Sequence, residues 1–289
     1  MSGFELGVIA ACAASALLNL GVILQALDAR EIPARHSLRL SLLARLARRP
    51  RWLAGTALGY LAVPLEVLAL SRAPLVVVEP LLGLGLLLLL AAGRPLLHER
   101  IHLWQVVGMF AIVAGLALVA WGGPSGHGEQ RSTSSVALVI GSVAAVALAP
   151  YLLRRRPVGI VLLLLSSAAG FSAANLAINA LSTDMRLGDY LACAGWLTVA
   201  AVTGLAATLG QMSAFQRDRA TRVVPVTFVI PNFLPVALAP LFLREQWSTT
   251  PLGGAVLAIG VVVSLGGSLA VSRSPQAGAL LAAGAGRPE

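Results

Sequence analysis

The chain has 289 residues, 57% of them hydrophobic and 11% charged, with a mean hydropathy of +0.85. A water-soluble domain carries roughly 25% charged residues, so the composition excludes an ordinary soluble enzyme. Two cysteines, Cys12 and Cys193, both inside apolar runs, exclude a disulfide-stapled secreted module. The net charge is +9 and every strongly basic residue is Arg. A catalytic-lysine mechanism is thereby excluded. Because the arginines lie between long apolar segments, their expected partner is the lipid bilayer and not nucleic acid.

Nine apolar windows are long enough to cross a bilayer, which takes about 20 helical residues each. They run over 3–27, 52–71, 74–93, 101–121, 135–153, 158–182, 188–211, 222–243 and 251–272. They lack the alternation of barrel strands, so the expected fold is an all-α polytopic membrane protein. The first window is not a cleavable signal, because Glu5 precedes it and its first arginine, Arg30, follows it. Residues 36–49 carry Leu38, Leu42, Leu43 and Leu46 at helical spacing beside Arg39, Arg45, Arg48 and Arg49. This pattern predicts an amphipathic helix lying on the inner membrane surface. The loop 122–134 is rich in Gly and Ser, and the tail 273–289 reads as disordered. With the N-terminus outside, 17 arginines fall on the inner side and Arg72, Arg131, Arg186 and Arg244 on the outer. The positive-inside rule selects that orientation, in an inner membrane, with the C-terminus in the cytoplasm.

Two stretches repeat. At an offset of 145, Glu66 meets Gln211, Ala69 meets Ala214, Arg72 meets Arg217, Val78 meets Val223 and Pro80 meets Pro225. Asn19-Leu20 in the first window likewise matches Asn175-Leu176 in the sixth. Residues 1–122 form a first transmembrane repeat, 123–157 an outer loop and linking helix, and 158–272 a second repeat. The odd linking span inverts the second repeat relative to the first, an arrangement typical of secondary transporters. The expected fold is thus nine transmembrane helices in two inverted four-helix repeats joined by a linking helix.

The run Ala73-Pro74, Val78, Pro80-Leu81, then Glu99-Arg100 and the Gly-bearing span after it, resembles the drug/metabolite transporter superfamily. The resemblance covers about residues 3–272 and is strongest to the NIPA-type magnesium-transporter branch and its bacterial relatives. It implies two inverted repeats around a central cavity, with a Glu-Arg pair opening the last span of a repeat. The chain departs from the NIPA pattern at three places. Val63 stands where that branch has its Glu, Glu66 where it has Asn, and Glu79 where it has Thr. The resemblance therefore implies a transporter more firmly than it implies magnesium.

Charge away from the window ends is confined to Glu66 and Glu79. An ionisable residue within a span costs several kcal/mol and reads as functional by default. The two lie about equally far from the 71–74 turn, so they should sit level and share one proton, which a cationic substrate could displace. The candidate substrate or coupling residues are Glu66, with Gln211 at its mirror position, then Glu79, Asn19 and Asn175. No catalytic residue, resident metal or cofactor is expected. The partners are the bilayer and a small-molecule or cation substrate, with a homodimer left open. The expected function is secondary transport by alternating access, proton-linked. A NIPA-like divalent-cation transporter is one alternative. Another is an intramembrane zinc protease, because His98-Glu99-Arg100-Ile101-His102 matches H-E-x-x-H. Against the protease, the motif sits at a charged boundary behind Pro95 and no third ligand is evident.

Overall fold

A computed structural model of the chain describes residues 3–73, 75–93, 95–97, 99, 101–122, 133–152, 159–242 and 251–272. There is no strand among them. The helices in chain order are α1 (Gly3–Glu31), α2 (Leu40–Leu46), α3 (Pro50–Arg72), α4 (Leu75–Gly83), α5 (Gly85–Gly93), α6 (Leu103–Gly122), α7 (Thr133–Leu152), α8 (Ile160–Leu187), α9 (Tyr190–Phe215), α10 (Ala220–Phe242) and α11 (Ala255–Ser272). Short 3₁₀ turns occupy Ala34–His36 and Pro251–Gly254. Five helical stretches are long and apolar enough to cross a membrane: Gly3–Glu31, Pro50–Arg72, Leu103–Gly122, Ile160–Leu181 and Tyr190–Phe215. Shorter apolar helical stretches cover Val77–Ala92, Val136–Leu152, Ala220–Leu234 and Ala255–Val271. The protein is a helical membrane protein. Only a helix satisfies its backbone within a single segment when no water is present. Large apolar side chains such as Val67, Leu191 and Leu205 therefore remain exposed on its flanks without penalty.

Local chemistry sets several ends. Pro50 opens α3 at a position where its missing N–H costs nothing. Gly188, at φ 78°, closes α8 in the left-handed conformation, and the Asp189 carboxylate caps α9 by accepting from the Ala192 amide at 3.0 Å.

The same pairings occur in both halves of the chain. α1 packs along α3 as α8 packs along α9, α4 meets α6 as α10 meets α11, and α1 meets α4 as α8 meets α10. α6 and α11 pack against each other, and α7 lies on α8. α1 and α3 approach so closely that a Cβ on Gly21 would stand 2.5 Å from the Gly55 carbonyl oxygen. A cluster of Ala10, Ala11, Ala14, Ala62, Ala69, Ala73, Val78 and Leu82 joins α1, α3 and α4. A larger core gathers the far end of α1 with α2, α5, α6 and the second half.

Two elements differ from the sequence reading. The window 74–93 is not one uninterrupted helix: a turn at Leu84, between Gly83 and Gly85, separates α4 from α5. The segment 36–49 is not one amphipathic helix on the bilayer. Only Leu40–Leu46 is helical, and Leu38, Leu42 and Leu46 are buried in the protein core instead of facing lipid. The leucine face is as expected. Its partner is the protein itself, near the end of α9, where the Leu38 amide donates to the Ser213 hydroxyl at 2.9 Å.

Candidate functional site

The site is built on α1, α3 and the α4–α5 interruption. α3 runs antiparallel to α1, with the Trp52 amide donating to Asp28, the Gln25 amide to the Thr56 hydroxyl, and Ala73 against Gly7. This register puts Glu66 roughly level with Ala14. α4 runs the other way along α1: the Ser15 hydroxyl donates to the Leu82 carbonyl at 2.8 Å. At the interruption the Leu84 amide still bonds the Pro80 carbonyl at 2.9 Å and the Leu88 amide the Leu84 carbonyl at 3.4 Å, while the Leu87 amide reaches the Leu84 carbonyl at 2.9 Å, a single tight 3₁₀ step. Ser15 and Asn19 are both buried, and the Asn19 amide donates to the Ser15 carbonyl at 2.9 Å. Gly85 is what lets them in. A Cβ there would lie 1.9 Å from Asn19 Nδ2 and 2.5 Å from Ser15 Oγ.

Glu66 and Glu79, both half-buried, border this level from α3 and α4. They are within electrostatic reach of each other. Among the described residues no hydrogen bond or ion pair links either carboxylate to a partner. The structure thus places Glu66, Glu79 and Asn19 within about 10 Å of one another along α1, and adds Ser15 and the Leu82 carbonyl, which the sequence reading missed. The signal was present in Gly83 and Gly85, which weaken a helix from within.

It does not bring in the other two. Gln211 is buried in α9 and donates to the Thr227 hydroxyl of α10 at 3.0 Å. It lies one turn or so from Gln216, whose amide reaches the Ile32 carbonyl beyond the far end of α1. At 1.5 Å per residue, Gln211 and Glu66 are separated by roughly 20 Å along the bundle. Asn175 is exposed on the flank of α8.

Two further acids are buried where helices begin. Glu99, 4% exposed, accepts from the Ala220 amide at 2.8 Å, the Thr221 amide at 3.2 Å and the Thr221 hydroxyl, and pairs with Arg30 at the end of α1. Asp28, 3% exposed, accepts from the Trp52 amide at 2.9 Å and is paired with Arg49 at 3.4 Å. In each case a carboxylate from another element satisfies the orphan amides of a first turn and faces the positive end of its dipole. Glu99 is the acid of the H-E-x-x-H motif. His102 precedes α6, and His98 lies outside the described residues. Glu245, the repeat mate of Glu99, also lies outside them. No group of three or more His, Cys, Asp or Glu gathers among the described residues.

No family model matches the chain, and no solved structure matches it. The chain is similar to an uncharacterized protein of Corynebacterium glutamicum, 22% identical over 277 residues, which cover 93% of this chain and 95% of that protein.

Proposed function

We propose that the chain is a secondary transporter of the inner membrane that moves a small solute or cation by alternating access, linked to protons. The carrying observation is the region around the α4–α5 interruption, where two carboxylates without a cationic partner among the described residues stand within about two helical turns of buried Ser15 and Asn19 along α1. An interrupted helix at membrane depth is how transporter folds present polar backbone to a ligand. Ionisable groups are retained there at a cost that function offsets. Two neighbouring negative charges repel, so a proton and a cationic solute compete for the same pair. The matching helix pairings of the two halves, and five long plus four shorter apolar helical stretches, support nine spans in two inverted repeats joined by α7. The arginine distribution supports an outer N-terminus.

A NIPA-like magnesium pathway is the second reading, carried by the sequence resemblance. Proteoliposomes enclosing a pH-sensitive dye, challenged in turn with magnesium and with a series of organic ammonium ions, separate the two. The parent is expected to move protons against an organic cation. Glu66→Gln, which keeps volume and hydrogen bonding but cannot titrate, is expected to abolish that proton movement. Equal pH dependence in parent and variant would remove Glu66 from the coupling site. Proton movement with magnesium alone would favour the second reading.

A further inference from the structure

The basic segment between α1 and α3 has two faces with different jobs. Leu38, Leu42 and Leu46 enter the core, and the segment is fastened to α9 by Leu38 to Ser213, and by Arg217 to the Ser37 hydroxyl at 3.3 Å. Leu38 sits at φ 57°, a region costly for leucine. Burial and the bond to Ser213 hold it there. That turn folds the chain back, so that three exposed arginines from different points of the segment come within electrostatic reach of one imidazole. Arg35, whose Nε donates to His36 Nε2 at 3.4 Å, Arg39 at the start of α2 and Arg45 in its last turn all surround His36. On its other side His36 Nδ1 shares a hydrogen bond with the Ser41 hydroxyl at 3.1 Å.

The described acids at this end of the bundle are engaged elsewhere. Asp28 and Glu31 pair with Arg49, Glu31 also lies 3.8 Å from Arg51, Glu99 pairs with Arg30, and Asp218 lies 3.3 Å from Arg222. None of these ion pairs includes Arg35, Arg39 or Arg45. The concentration of like charge calls for an anion, and its place beside the ends of α1 and α3, where apolar helices meet water, sets which anion is at hand. We infer that Arg35, Arg39 and Arg45 form, around His36, a site for the phosphate headgroup of an anionic phospholipid, seated on the inner leaflet. Guanidinium groups suit phosphate oxygens because their paired donors match them in spacing. The inference rests on the membrane reading of the helices and on the orientation that puts this end inside, and is independent of transport.

The full-length protein in phosphatidylcholine vesicles, with a trace of spin-labelled phosphatidylglycerol or spin-labelled phosphatidylcholine, tests it. Electron spin resonance reads the motionally restricted fraction of each label. The parent is expected to prefer phosphatidylglycerol by roughly five- to tenfold. In the triple variant Arg35→Gln, Arg39→Gln, Arg45→Gln the preference falls to about one. Arg72→Gln, at the other end of α3, leaves it unchanged. All four side chains are exposed, so the fold is retained. His36 supplies a second readout. Partial desolvation first, then Arg45, Arg35 and Arg39, hold its pKa below the usual imidazole value of 6.5. Replacing phosphatidylcholine by phosphatidylglycerol should raise it in an NMR titration. An unchanged lipid preference in the triple variant overturns the site. So does inorganic phosphate, added to phosphatidylcholine vesicles, raising the His36 pKa as far as the lipid does, because the site would then take a free anion.

Discussion

Gly85 lacks a side chain at the one point where α1 places two polar atoms against the α4–α5 interruption. An added methyl would have to displace Asn19 Nδ2 and Ser15 Oγ, and with them the bonds to the Ser15 and Leu82 carbonyls. Gly85→Ala is expected to cost about 1–3 kcal/mol in stability. Combined with Asn19→Ala, which vacates the space, the loss should be clearly smaller than the two single losses together. Equilibrium unfolding in mild detergent measures both. A fully additive pair would mean that Gly85 and Asn19 do not meet. Residues of this kind were only half legible in the sequence. Glu66 and Glu79 stood out because charge inside an apolar run is conspicuous. Asp28 did not, and Glu99 stood out only for its motifs and not as a buried cap, since both fall at window ends, where a charge usually faces water. What buries them is a set of backbone amides, and residue type does not encode those.

Among the elements, α3 begins without a side-chain cap of its own, and carboxylates from elsewhere, Asp28 and Glu99, accept from the first-turn amides of α3 and α10. Glu99→Gln keeps an acceptor but loses the charge that pairs with Arg30 and faces the α10 dipole. A loss of about 2–3 kcal/mol is expected, discounted because the Arg30 side chain is 26% exposed. Hydrogen exchange localises it: the amides of Ala220 and Thr221 should lose protection first, while those of α3 stay protected. In Asp28→Asn the order should be reversed, with the start of α3 affected and that of α10 spared. Uniform loss in either variant would show that these carboxylates are general packing groups and not caps. The long helices were readable from hydropathy because lipid demands unbroken apolar stretches. The α4–α5 interruption was not, since both of its pieces are equally apolar. The leucine face of the 36–49 segment was readable from its spacing, but spacing cannot distinguish lipid from protein as the surface it meets.

For the whole molecule, topology is the first quantity to measure. On the proposed nine-span topology, which sets 17 arginines on one side and four on the other, a reporter fused at the C-terminus should be active only in the cytoplasm. Periplasmic activity would reverse the orientation and take the anionic-lipid site to the wrong leaflet. The overall helical architecture was legible because it follows from composition. The pairing of Glu66 with Gln211 was misjudged for a geometric reason. Under the proposed inverted repeat, the two halves exchange their surfaces about an axis in the membrane plane, so matched residues share a depth only at the midplane. Glu66, near one end of its helix, maps onto Gln211 near the opposite face of the bundle. The Glu99 tie has a consequence for biogenesis. Its partners Ala220 and Thr221 are synthesised 121 and 122 residues later, about 6–25 seconds at bacterial elongation rates. Through that interval the nascent first half holds an acid in want of a helix that does not yet exist. With only Arg30 to hold it among the described residues, the connection is expected to stay protease-accessible until α10 arrives. Ribosomes stalled before and after α10 emerges should therefore differ sharply in how readily the connection after α5 is cut.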